Sequence, residues 1–128
     1  MSQPGDIRQA AADALSQVDR LRTKGTSSGA ISPPAAVIQH GRIVTDITLG
    51  GSVDYVLRVI LLVQLGSIRT GQQAVETLID PSGTVYTSAI TALQSDARFG
   101  AIVCDDIGDI DYGGTTYAGA ILSVEAIA

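Results

Sequence analysis

Few residues in this chain have the type and spacing for chemistry: one histidine, His40, one cysteine, Cys104, and the aspartates Asp105, Asp106, Asp109 and Asp111 of the run DDIGDID. A histidine acting as general base or metal ligand needs a partnering Cys or Asp at a recognisable spacing. His40 has none, and sits beside Gly41 where a turn is expected. A thiolate nucleophile at Cys104 would need a base, and His40 is the sole histidine. Cys104 ends the apolar run AIVC, where a thiol serves as a small buried hydrophobe, and a lone cysteine excludes an internal disulfide. Leu49-Gly50-Gly51-Ser52 lies between expected strands, so no helix N-terminus follows to hold a phosphate. The four aspartates have the oxygen chemistry for a hard cation, with Gly108 as a turn, but their spacing does not fit an EF-hand loop. The plainer reading is a solvated, charged hairpin end that discourages sheet edges from sticking together. The residues thus point to no catalytic group, no cofactor and no metal, and the chain is expected not to be an enzyme.

The elements that position these residues centre on one long strand, Val53–Leu65 (VDYVLRVILLVQL). Its odd positions are all apolar, while the even ones mix Asp54, Arg58 and Gln64 with Val56, Ile60 and Leu62. That pattern gives one buried face and a second face with an apolar surplus. The strand would span roughly 43 Å at ~3.3 Å per residue, and the surplus at 56, 60 and 62 asks for a neighbouring molecule.

Around it, residues 5–22 read as an amphipathic helix with Ile7, Ala11, Ala14, Leu15, Val18 and Leu21 on one face. A Gly/Ser-rich flexible loop is expected at about 23–34. Strands are expected over 35–39 and 42–49, separated by a turn at His40-Gly41, and Gly50-Gly51 signals a tight hairpin into the long strand. Thr70 and Gln73 resemble a capping box before a helix presenting Ala74, Val75, Leu78 and Ile79. Asp80-Pro81-Ser82-Gly83 interrupts it, and a second helix is expected over 84–94. Strands over 101–111 and 115–127 then close the chain through Gly113-Gly114. The fold class is α+β: a mainly antiparallel sheet of about five strands with helices packed on one face, in the order αβββααββ. Residues 1–128 form a single domain.

Composition narrows the function classes. With 45% hydrophobic and 16% charged residues, the chain of 128 residues has the make-up of a globular domain rather than a disordered one. Aromatics are sparse (Tyr 4, Phe 1, Trp 0), which disfavours a ligand pocket or base-stacking surface. A net charge of −5 argues against binding nucleic acid through its phosphates. Residues 1–64 hold six of the basic groups and five acids, and residues 65–128 two and eight, an imbalance suited to head-to-tail packing of identical subunits. The N-terminus lacks an apolar signal region, and the longest apolar run, Val59–Val63, is too short to span a membrane. Synthesis in a cytoplasm and no membrane partner are therefore expected.

The order of pieces resembles that of tail-terminator (tail-completion) proteins of long, non-contractile-tailed bacteriophages, and of related head–tail joining and neck proteins. The likeness runs through the N-terminal helix, SPPAAVI, the Gly50-Gly51 hairpin into VLRVILLVQLG, the segment TGQQAVETLIDPSGTVYTSAITAL, and YGGTTYAGAILSVEAIA. The resemblance implies a non-enzymatic virion protein: a homo-oligomeric ring, usually a hexamer, that caps the tail tube, ends its polymerisation and offers a docking surface to the head connector. DNA would pass through without specific binding, with Asp105, Asp106, Asp109 and Asp111 as candidates to line the lumen. Candidate subunit-interface residues are Arg42, Gly50, Gly51, Val56, Arg58, Ile60, Leu62, Gly113 and Gly114, with Arg42 and Arg58 pairing with acids of the next subunit. Another neck protein, or a cation-binding regulatory module, are the alternative readings.

Overall fold

The N-terminal alanine-rich spacing forms helix α1 (Pro4–Leu15), which buries Ile7, Ala11, Ala14 and Leu15. The structure is a computed structural model that describes residues 4–18, 21–24, 34–45, 53–63, 68–96 and 98–127. The helix expected over 5–22 ends early because side chains take over its last carbonyls: the Ser16 hydroxyl donates to Asp13 O at 2.6 Å and the Gln17 amide to Ala14 O at 3.1 Å. The chain tightens into i→i−3 bonds, Gln17 to Ala14 and Val18 to Leu15, yet Val18 and Leu21 still reach the core.

Strand β1 (Arg22–Lys24) lies where the flexible loop was expected to begin, and residues 25–33 of that expected loop fall outside the described residues. Strand β2 (Ala35–Thr45) joins the strand expected over 35–39 to the described part of the one expected over 42–49, whose residues 46–49 lie outside the described residues. At His40-Gly41 the chain does not turn; a bulge between His40 and Arg42 absorbs the extra residue and the ladder continues. Strand β3 (Val53–Val63) forms as expected over its described residues, and residues 64 and 65 of the expected strand, like the Gly50-Gly51 hairpin, lie outside the described residues. Helix α2 (Ile68–Leu78) buries Val75 and Leu78; it already contains Thr70, so Thr70 is not the N-cap that the expected capping box requires.

Helix α3 (Ala89–Gln94) is shorter than the expected 84–94. Hydroxyl groups compete for the backbone ahead of it: the Thr84 hydroxyl accepts from Tyr86 N, and Ser88 caps the helix by accepting from Thr91 N at 3.4 Å. Strands β4 (Phe99–Tyr112) and β5 (Thr115–Ile127) form the closing hairpin as expected. Both turn residues have positive φ, 60° at Gly113 and 83° at Gly114, the signature of a type I′ turn that matches the strands' twist.

The fold is α+β, with sheet order β1-β2-β3-β5-β4. Four long strands pair antiparallel, and β1 adds three residues in parallel beside β2. The expected string αβββααββ therefore does not map onto the observed elements segment for segment. All three helices pack on one sheet face, against Ala36, Ile38, Leu57, Val59, Leu61, Leu122, Val124 and Ala126. Val75 of α2 sits on the same face over Ala118 and Ala120.

The opposite face corrects the central expectation about the long strand. Ile60 and Leu62 are buried within the chain. They cluster with Val37 and Ile110, and with the half-buried Tyr112, Tyr117 and Ile121. No helix among the described residues packs there; the β4–β5 hairpin bends over it instead. Two bulges in β4, between Phe99 and Ile102 and between Cys104 and Asp106, increase its twist. At the bend Gly108 (φ 138°) pairs with Gly119, and a Cβ on Gly119 would clash with the Leu61 carbonyl of the neighbouring strand. The glycines let the hairpin cross close over β3, so its far end carries Ile110 onto the apolar positions.

Candidate interaction surface

Strand β4 stands at the sheet edge, with no described strand beyond it. Its register sorts the four aspartates onto opposite faces. Asp106 lies opposite Ile121 and so on the face away from the helices, where Asp105, the extra residue of the second bulge, accepts a short hydrogen bond from the Ser123 hydroxyl. Asp109 and Asp111 lie opposite Ala118 and Thr116 on the helix face, and Asp111 accepts from the Thr116 hydroxyl at 2.6 Å. All four are exposed. An alternating strand thus disperses carboxylates that are adjacent in sequence, and among the described residues no three Asp, Glu, His or Cys side chains gather as a cation site would require.

Cys104 is half-buried and its thiol donates to Asp106 O at 3.6 Å. Burial pushes the thiol above its ordinary range; that bond opposes the shift, and the nearby Asp105 and Asp106 carboxylates add to it. His40 stands on β2, with β3 and β5 between it and β4, so the two backbones are about 14 Å apart at ~4.8 Å per strand. The structure does not bring this pair together; the His40 side chain is outside the described ones.

The expected interface residues divide in the same way. Ile60 and Leu62 are interior, so the reading of them as open interface surface is withdrawn. Val56 is half-buried and Arg58 is exposed, both facing away from the helices. Gly113 and Gly114 are exposed at the hairpin tip. Gly50 and Gly51, and the side chain of Arg42, lie outside the described residues.

Two features escaped the sequence reading. The large exposed apolar side chains of β4 are Val103 (55% exposed) and Ile107 (57%). Ile107 also lines a cleft of about 230 Å³ between α2 and β4, with Val75 and Ala118 for its apolar part and Glu76 and Asp109 carrying its charge. The only hint in the sequence was an isoleucine among acids in DDIGDID; that Glu76 stands over it depends on how α2 crosses the sheet. A shallow polar depression between α1 and α3 holds the Asp96–Arg98 ion pair at 2.8 Å. Hydrogen bonds from Arg98 hold the Asp96 carboxyl below its usual range.

Comparison with protein-family models and with curated proteins found no match.

Proposed function

We propose that the chain is a structural subunit of a phage tail, a terminator-type protein whose ring caps the tail tube, stops its growth and presents a docking surface to the head connector. The observation that carries this reading is β4, a sheet edge with no described strand beyond it, which exposes Val103 on one face and Ile107 on the other, each near carboxylates of the same strand. Apolar groups held in water on a rigid strand favour contact with another protein surface, and the flanking acids restrict which surface that is. The resemblance of the chain's successive segments to tail terminators names the assembly. Capping works because one face of the ring copies the tube's symmetry and the other offers no tube-like face. Repeated around the ring, carboxylates on the lumen side repel DNA phosphates, so the genome slides through without adhering.

The test is to polymerise tail-tube protein with and without the purified chain and to image the products by negative stain. Shortened tubes carrying an annulus at one end are expected; tubes of unchanged length with bare ends at excess chain refute the proposal. Copurification with filled heads rather than tails would instead identify another neck component. A calcium-dependent rise in Tm would favour the cation-binding module.

A further inference from the structure

Strand β4 carries backbone groups with no described strand beside them. Its hairpin turn has two residues, and in such a hairpin the flanking pair, Tyr112 and Thr115, exchanges hydrogen bonds. Counting back in steps of two, Ile110, Gly108 and Asp106 also bond to β5, while Ile107, Asp109 and Asp111 turn their N–H and C=O groups outward. Both bulges of β4 lie before Asp106, so the register of this stretch is unbroken. Solvent reaches the backbone here: Gly108, which has no side chain, is exposed, and a Cβ placed on it would meet nothing within 4 Å.

Charge restricts what can pair with this edge. From Phe99 to Ile127 the chain has the acids Asp105, Asp106, Asp109, Asp111 and Glu125, and no Lys, Arg or His. On the helix face, Ile107, Asp109 and Asp111 stand in line beside the α2 cleft, where Glu76 adds a carboxylate and no base is among the described lining. On the other face lie Asp105, Asp106 and Glu125, with Arg58 two strands inward on β3. Both faces of the edge are therefore net acidic. A second copy's β4 brings the same carboxylates and is repelled.

We infer that β4 takes up an extended, basic segment of a different protein, which adds a strand along Ile107–Asp111. Main-chain hydrogen bonds to the outward groups of Ile107, Asp109 and Asp111 supply affinity, and alternate side chains supply specificity. Every second residue of the added strand falls on the helix face. A Lys or Arg there meets Glu76, Asp109 and Asp111, while its methylene stem covers Ile107, which is 57% exposed. The charges that admit this strand are the ones that exclude another β4. The inference rests on the reading of β4 as a protein-contact strand and adds the chemistry of the partner.

The experiment titrates the full chain into a short labelled peptide alternating Arg and Val, with binding read by fluorescence anisotropy. Salt-sensitive binding is expected, and a peptide alternating Glu and Val should not bind. Methylating the alternate backbone nitrogens that would donate to β4 should abolish binding, since it leaves the peptide's charge unchanged but removes those donors. Asp109→Arg should weaken binding about tenfold or more, whereas Asp13→Arg, the same charge change on the exposed side of α1, should cost less than about twofold. Circular dichroism verifies that both variants fold. Equal binding of the Glu peptide, undiminished binding of the methylated one, equal losses in the two variants, or no binding at about 1 mM overturns the inference. So does self-association of the chain that displaces the peptide, which would assign β4 to a second copy. Tube capping separates the two claims. A wild type that caps tubes but binds no peptide loses this inference and keeps the terminator reading; one that binds the peptide without capping does the reverse.

Discussion

Gly119→Ala is the sharpest test of the bend that hides the second sheet face. A Cβ at this position falls inside 3.0 Å of the Leu61 carbonyl oxygen and meets Ile110 Cδ1 at 3.1 Å, where ordinary contact begins near 3.4 Å. The obstructing atom is backbone, so no rotamer change relieves it, and the β3–β5 ladder must open by more than about 1 Å. Ladder bonds near 2.9 Å would stretch to about 4 Å and cease to be hydrogen bonds. Losing two of them in the interior removes about 1 kcal/mol each, and leaving their groups unpaired adds on the order of 1–3 kcal/mol. The expected destabilisation is about 3–5 kcal/mol, a large part of the 5–15 kcal/mol typical of a domain. At roughly 3–4 °C per kcal/mol for a chain of this size, Tm should fall by on the order of 10 °C or more. Urea denaturation followed by circular dichroism measures it, with Gly100→Ala as control, because a Cβ there meets nothing closer than Glu125 O at 4.0 Å. A Gly119→Ala stability within about 0.5 kcal/mol of wild type, the usual scatter for harmless substitutions, would refute the bend and reopen Ile60 and Leu62 as available surface.

Three further outcomes follow from the same geometry. Gly114→Ala forces a side chain into φ 83° and should destabilise by about 1–2 kcal/mol, whereas Gly113→Asn, a residue type I′ turns accept, should change little in the same urea titration. Ser88→Ala removes the cap of α3 and the hydroxyl that donates to Leu78 O at 3.4 Å, a loss of about 1–2 kcal/mol read from the denaturation midpoint. Asp96 has its carboxyl held below the ordinary 3.8 by Arg98, so its contribution is complete above that value and is lost as pH falls through the lower folded value. Wild type should therefore exceed Asp96→Asn in stability at neutral pH, with the gap closing below about pH 4 in an acid titration; a gap constant down to pH 2 would contradict this.

Local patterns were legible wherever one side chain's polarity decides one face. The core stripe Ile7, Ala11, Ala14, Leu15, Val18 and Leu21 is buried as its spacing predicts, even where the helix itself gives way to tighter turns. The odd positions Tyr55, Leu57, Val59 and Leu61 of the long strand lie under the helices, and Gly113-Gly114 makes its hairpin, because period and turn chemistry are properties of neighbouring residues. Element ends were less legible, since the hydroxyls of Ser16, Thr84 and Ser88 compete with helix bonds at positions that propensity treats as neutral.

Tertiary structure alone decided what covers the apolar even positions of β3. Sequence shows that Ile60 and Leu62 need cover, but hydrophobic burial is non-directional and does not say whether that cover comes from a second molecule or the chain's own hairpin. Two bulges and the Gly108–Gly119 pair supply it from within, through contacts more than forty residues distant in sequence. The same long-range placement separates the four aspartates onto two faces and sets Glu76 across from Asp109. Sequence fixes which groups are charged and which must avoid water. Which of them meet is a property of strand register and helix crossing, which exist only once the sheet has formed.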